Sequence, residues 1–300
     1  MAKEQPFGDR YLYVPTGHAA GGAIPLVGKG AGNIDKGTAT RMVSDMTRNL
    51  VHLATPTSEG GLATDEDIEA GRIWYPSARQ EHARRISSML GTDHRVGSAL
   101  ISSLSPQTEW EQNLIKTHDI ATHGRPTSEL AGWGAEHMGG ANPEFSTDAR
   151  IRKAHAILNH AQMGGAGDGR FNITLRGYSK ETGFTDPTEK PVFQRGLKTH
   201  SFMENIHDPS NRDFVTIDTH AHNAAVASRT PSAGTKLGAL GRYNTFAQAY
   251  HNTAEHLGLD PSETQARIWT TWKRMNPQPG GRNFDTYLQK TGKFDDYYSR

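Results

Sequence analysis

Residues 218–222 read Asp-Thr-His-Ala-His and follow the apolar run Phe214-Val215-Thr216-Ile217. One carboxylate and two imidazoles within five positions admit three chemistries. If the chain turns into a helix after Asp218, its carboxylate accepts hydrogen bonds from the first free amides and serves as an N-cap. If the chain stays extended, His220 and His222 face the same side and can share a metal ion. A fixed carboxylate can also stabilise the positive charge that develops on a sugar when an N-glycosidic bond breaks.

The metal reading resembles the first-strand Asp-x-His-x-His motif of amidohydrolase-type barrels. Such a barrel needs about 250 residues after that strand, and only about 80 follow His222. The residues that follow have helical spacing, and on a helix two positions apart means about 200° apart. No metal is therefore expected.

Other candidate chemistry is thin. The stretch GGAIPLVGKGAGN (residues 21–33) looks like a phosphate loop, but Gly30 follows Lys29 where Ser or Thr is needed, and Asn33 replaces the last glycine of GxGxxG. The chain has no cysteine, which excludes disulfides, a thiolate nucleophile and a cysteine-held iron–sulfur cluster. A net charge of +1 gives no global pull on nucleic acid, so any such contact must be local. No run of about eighteen apolar residues occurs, and the start MAKEQPFGDRYLYVP has no apolar signal core. A soluble, cytoplasmic protein without membrane contact is expected.

The elements that must carry these residues are helical. Met42, Met46, Leu50 and Leu53 recur at spacings of three and four, as do Ala78, His82, Ile86 and Met89 before Gly91. RVGSALISSLS is a short apolar helix. Ser105 then reads as the N-cap of the next helix, with Pro106 at its first position. STDARIRKAHAILNHA and LKTHSFMENI are further helices. THAHNAAVASR follows Asp218, and Phe246, Tyr250, Ala254 and Leu257 line one face of another. Asp260, Pro261 and Glu263 form a capping-box pattern for the last long helix, whose Trp269 and Trp272 suit a core. FNITL (171–175) is strand-like within a Gly-rich, turn-rich region. The organisation expected is a flexible arm over 1–40, a mainly α-helical domain of two lobes around a cleft over 41–275, and a tail over 276–300.

Three stretches, taken in order, resemble the helix–hairpin–helix DNA glycosylase superfamily, especially its endonuclease III branch. They are Leu104-Ser105 with Gln107, then Lys198-Thr199, and twenty residues on Ile217-Asp218-Thr219-His220. The likeness spans about residues 72–230. WYPSA, SPQTEWEQN, KTHSFMENI and QARIWTTWKR also resemble proteins of actinobacterial phages, which for a phage-encoded chain implies the host cytoplasm.

The resemblance implies a glycosylase-like helical fold and DNA, duplex or phage-modified, as partner; with no cysteine to hold a cluster, no cofactor is expected. It implies that Asp218 is the carboxylate beside the sugar and that Lys198 is the amine that forms a Schiff base in bifunctional members. Such an amine needs burial or a cationic neighbour to lose its proton, for which Arg195 and His200 are candidates. Gln107 matches the residue that fills the gap left by an extruded base. Ser105, Arg195, Gly196, Thr199 and His220 complete the DNA-contacting set. The family hairpin Leu-Pro-Gly-Val-Gly is here PVFQRGLKT, keeping only Gly196, and the iron–sulfur cluster has no ligands. An altered hairpin fits either a glycosylase, an enzyme of DNA hypermodification acting on a modified thymine, or a catalytically silent DNA-binding module.

Overall fold

A computed structural model describes residues 12–13, 23–24, 36–106, 108–123, 149–162, 197–238, 240–277 and 284–299. Among these the chain is mainly α-helical. The helices are α1 (Lys36–Ala54), α2 (Asp65–Ser77), α3 (Arg84–Leu90), α4 (His94–Leu104), α5 (Trp110–His123), α6 (Ala149–Gln162) and α7 (Leu197–His207). There follow α8 (Thr219–Ala225), α9 (Ser232–Thr235), α10 (Leu240–Leu257), α11 (Pro261–Met275), α12 (Phe284–Lys290) and α13 (Phe294–Tyr298). A π-helical turn, Ala78–Ala83, joins α2 to α3. Leu12–Tyr13 (β1) and Ala23–Ile24 (β2) pair antiparallel, Leu12 opposite Ile24. No helix among the described residues is long and apolar enough to cross a membrane.

The chain divides into two compact units. Unit 1 comprises residues 1–75 and 209–278, and unit 2 comprises 76–208 and 279–300.

In unit 1, α1 buries Val43, Met46, Leu50 and Leu53, a register one residue off the expected stripe at its first position. This face lies against α10, α11 and α8. Helix α10 returns Tyr243, Phe246, Tyr250 and Ala254 to the same core. Truncating one of the large fully buried side chains to alanine costs about 2–5 kcal/mol. Helices α2 and α11 touch backbone to backbone. A Cβ on Gly71 would stand 2.5 Å from Arg267 Cα, so only glycine allows the approach.

In unit 2, α4 is the central helix, with every residue from Val96 to Leu104 buried. It contacts α3, α5, α6, α7 and the π-helical turn. A Cβ on Gly97 would lie 2.0 Å from the carbonyl oxygen of Ala83, so a side chain there would push α4 off that turn. Asp93 caps α4 by accepting from the Arg95 amide at 2.8 Å. Gly91, at φ 64°, ends α3 where the sequence places the stop.

Four expectations need correction. Ser105 does not cap α5, which begins at Trp110; it closes α4 instead, its amide and hydroxyl both donating to Ser102 O, at 3.3 and 2.9 Å. Pro106 therefore sits in a turn. The capping box before α11 does not form, although the boundary is as expected. The Asp260 carboxylate accepts from Arg212 (2.6 Å), and Glu263 pairs with Arg267 (2.9 Å). Residues 276–300 are not simply a tail, since α12 and α13 belong to unit 2 and bury Phe284, Leu288 and Tyr297. Those two helices are too short to display an apolar stripe. At the other end α1 begins at Lys36, inside the stretch read as an arm. The strand-like FNITL lies outside the described residues.

Candidate functional site

The motif residues fall into two centres, one in each unit. The centre in unit 2 is the turn after α4. Thr108 closes it by donating its amide to Ser105 O at 3.2 Å. Three cations reach this turn from three different helices. Lys198, in the first turn of α7, donates its Nζ to Ser105 Oγ at 2.7 Å, and lies 5.1 Å from the centre of the Phe202 ring. Arg150, near the start of α6, donates to Pro106 O at 2.6 Å. Lys116, on the buried face of α5, donates to Thr108 Oγ1 at 3.3 Å.

The oxygens that accept these bonds are hydroxyls and a carbonyl. Ser105 and Lys116 are buried and Lys198 is half-buried, so the charge is held in a partly desolvated place where it acts more strongly than in water. The cluster thus places three cations against the oxygens of one turn.

The centre in unit 1 is Asp218. The segment Phe214–Ile217 is extended and buried, and tyrosines pin it from two helices. The Tyr243 hydroxyl accepts from the Ile217 amide at 3.1 Å and donates to Val215 O at 3.0 Å. The Tyr75 hydroxyl donates to Gln265 Oε1 at 2.8 Å and shares a 3.1 Å hydrogen bond with the Thr216 hydroxyl. Asp218 then caps α8 in extended conformation, its Oδ1 accepting from the Ala221 amide at 2.8 Å.

Tyr250 supports the same turn by donating to Ala221 O at 3.0 Å. Burial pushes the phenols of Tyr75 and Tyr250 well up, and the negative charge of Asp218 adds to this in both. They stay protonated donors beneath a half-buried carboxylate.

His220 and His222 lie within α8 and so point apart. The His222 Nε2 accepts from Arg242 at 3.2 Å, which fixes the proton on Nδ1, and that nitrogen donates to Asn223 Oδ1 at 3.1 Å. Its ring stacks on Phe246 at 4.5 Å. Burial first, then the Arg242 charge, lowers its pKa. With Nε2 facing a guanidinium, His222 is a positioned neutral histidine and no metal ligand.

Of the residues singled out in the sequence, Ser105 and Lys198 are brought together, and Thr199 is buried beside them on α7. Asp218 and His220 belong to unit 1. Gln107, Arg195 and Gly196 lie outside the described residues. Sequence reasoning missed Lys116, Arg150 and the tyrosine frame of Asp218. Lys116 leaves one trace, a lysine inside the apolar run Leu114-Ile115-Lys116. Trp269 contacts Trp74 edge-on at 5.8 Å and carries Lys273 Nζ 4.5 Å from its ring centre, while Trp272 is buried as a core residue.

Residues 38–276 match the model of a family described as a family of unknown function, DUF7178. No curated protein and no solved structure matches the chain.

Proposed function

We propose, from the premise that the chain belongs to the DUF7178 family, that it is a DNA base-acting enzyme. In this reading the cationic turn at Ser105, Pro106 and Thr108 of unit 2 binds a backbone phosphate, and in unit 1 Asp218 is by itself the carboxylate suited to charge that develops on a sugar. The observation that carries the proposal is the hydrogen bond from Lys198 Nζ to Ser105 Oγ. It joins two of the three motif stretches across 93 residues of chain. Lys116 and Arg150 converge on the same turn.

The chemistry follows from the residue types. Phosphate contacts fix the register of a protein on DNA and need no base identity. Departure of a base leaves positive charge on the sugar, which a preorganised carboxylate stabilises.

Lys198 has a more specific role in this reading than the family resemblance implies. Lys198 Nζ donates to Ser105 Oγ and lies near the Phe202 ring, an environment that suits a cation in contact with phosphate. Lys198 is thus assigned to the phosphate, and the reaction proceeds without a Schiff base. The same feature favours, as a second reading, modification of a base with the sugar bond left intact.

The test is incubation with oligonucleotides that carry uracil, an oxidised pyrimidine, an abasic site or 5-hydroxymethyluracil. Abasic product without borohydride trapping supports the glycosylase reading. A mass change on 5-hydroxymethyluracil DNA with the glycosidic bond intact supports base modification. Strand cleavage with trapping that disappears in Lys198→Ala reassigns Lys198 as the nucleophile. DNA binding without turnover on any substrate, or full turnover in Asp218→Asn, removes the catalytic assignment.

A further inference from the structure

We propose that Asp93, His94 and His207, at one edge of unit 2, form a binding site for a zinc-class dication. The site is separate from the cationic turn and does not depend on the DNA reading. Asp93 ends the turn after Gly91, His94 opens α4, and His207 closes α7. One ligand atom from each residue lies within 4.8 Å of the other two.

Tetrahedral zinc takes nitrogen and oxygen at about 2.0–2.2 Å, which sets its ligand atoms about 3.4 Å apart. Closing from at most 4.8 Å shortens each separation by up to about 1.4 Å.

One further observation supports a ligand here: His94 Nε2 and His207 Nδ1 are buried without a hydrogen-bond partner. The two rings stack at 4.5 Å, so their lone pairs run in near-parallel planes and one ring must turn before both reach the same ion. A buried polar atom left unpaired is costly and calls for an explanation such as an ion. Asp93 divides its labour: Oδ1 accepts from the Arg95 amide to cap α4, while Oδ2 lies 3.5 Å from His94 Nδ1. That second oxygen can turn to a metal while the cap remains.

The surroundings select the kind of ion. Two of the three ligand atoms are imidazole nitrogens and only one is a carboxylate oxygen. Arg79, Arg84 and Arg95 oppose any cation, although Glu204 is paired with Arg95 and offsets it. A hard ion that relies on charge, such as magnesium or calcium, is disfavoured. An ion that bonds to imidazole nitrogen, such as zinc, nickel or cobalt, is favoured. Three protein ligands leave the fourth position to water. Bound there, the ion would clip the Gly91–Asp93 turn to the end of α7.

The test uses the full chain after treatment with chelator, titrated with zinc by calorimetry and with cobalt by visible absorption. A single micromolar zinc and tetrahedral cobalt bands are expected. His207→Gln should abolish both signals, and Asp93→Asn should weaken binding about tenfold or more, since even outer-shell changes cost 10–100-fold. Asparagine keeps the cap, so that variant should fold. Should His207→Gln not fold, zinc-induced shifts of the His94 and His207 ring nitrogens in the unmodified chain decide instead. No binding at about 100 µM zinc, affinity unchanged in both variants, or ring shifts confined to other histidines overturns the proposal.

Discussion

Asp218 and Lys198 are held in opposite ways. Asp218 rests on local structure: its carboxylate bonds to an amide three residues on, and the run before it is fixed through main-chain atoms. Lys198 rests on distant structure. Its partner hydroxyl lies 93 residues away, and that hydroxyl also closes another helix. The contrast teaches where each can be disturbed. A carboxylate held by a cap is moved by what shifts the cap, whereas a cation held by a turn is moved by whatever loosens three helices.

The widest expected separation comes from Asp218→Asn. Asparagine caps as well as aspartate, so stability measured by denaturant should change by less than about 0.5 kcal/mol. Turnover on the responsive DNA substrate should fall by about 100-fold or more, as when a transition-state electrostatic partner is removed. A parallel loss of stability and turnover would reduce Asp218 to its capping role.

Next comes the frame beneath it. Tyr243→Phe leaves the buried Ile217 amide and Val215 carbonyl without their shared partner, at roughly 1–3 kcal/mol for each group. Urea unfolding measures this, and a change below about 0.5 kcal/mol would show that the extended run is not pinned as described.

Acid should act on unit 2. Burial pushes His82 and His118 down to about 4 from an ordinary 6.5. Above pH 6.5 neither the folded nor the unfolded state holds these protons, and stability is full. Between about 6.5 and 4 the unfolded chain takes up protons that the folded chain refuses. Stability therefore falls with decreasing pH by up to about 1.4 kcal/mol per pH unit for each histidine. Trp110, whose ring centre is 5.6 Å from that of His82, reports the change by fluorescence. A flat profile across this window would show that these imidazoles are not kept neutral by the fold.

The smallest effects concern the cationic turn. Ser105→Ala removes the acceptor of Lys198 and should cost about 1 kcal/mol. Lys198→Ala should weaken DNA binding alike for all sequences and lower the salt-dependence slope by about one. An unchanged slope would remove Lys198 from the proposed phosphate contact.

What was legible in the sequence follows the same division. Gly91, Asp218 and Pro261 mark helix boundaries because caps and breakers act on their immediate neighbours. Ser105 misled for a physical reason: Ser-Pro before an amphipathic run fits an N-cap, but its hydroxyl is engaged by Ser102 and Lys198. Asp260 likewise kept its place and lost its cap to Arg212, a residue 48 positions earlier. Tyr75 and Tyr243 bracket the 214–217 run from distant positions, and no spacing rule ties them to it. Local patterns disclosed most of the longer helices and the cap at Asp218; the partners that steady Asp218 and Lys198 became visible only in three dimensions.

The absent side chain at Gly71 reaches further than its own contact. Arg267, which it lets in, stands two residues from Gln265, and Tyr75 follows Gly71 by one helical turn. A single methyl group at position 71 would wedge apart the very helices whose tyrosine–glutamine bond steadies the approach to Asp218. A position without a side chain is thereby a remote lever on the acidic centre.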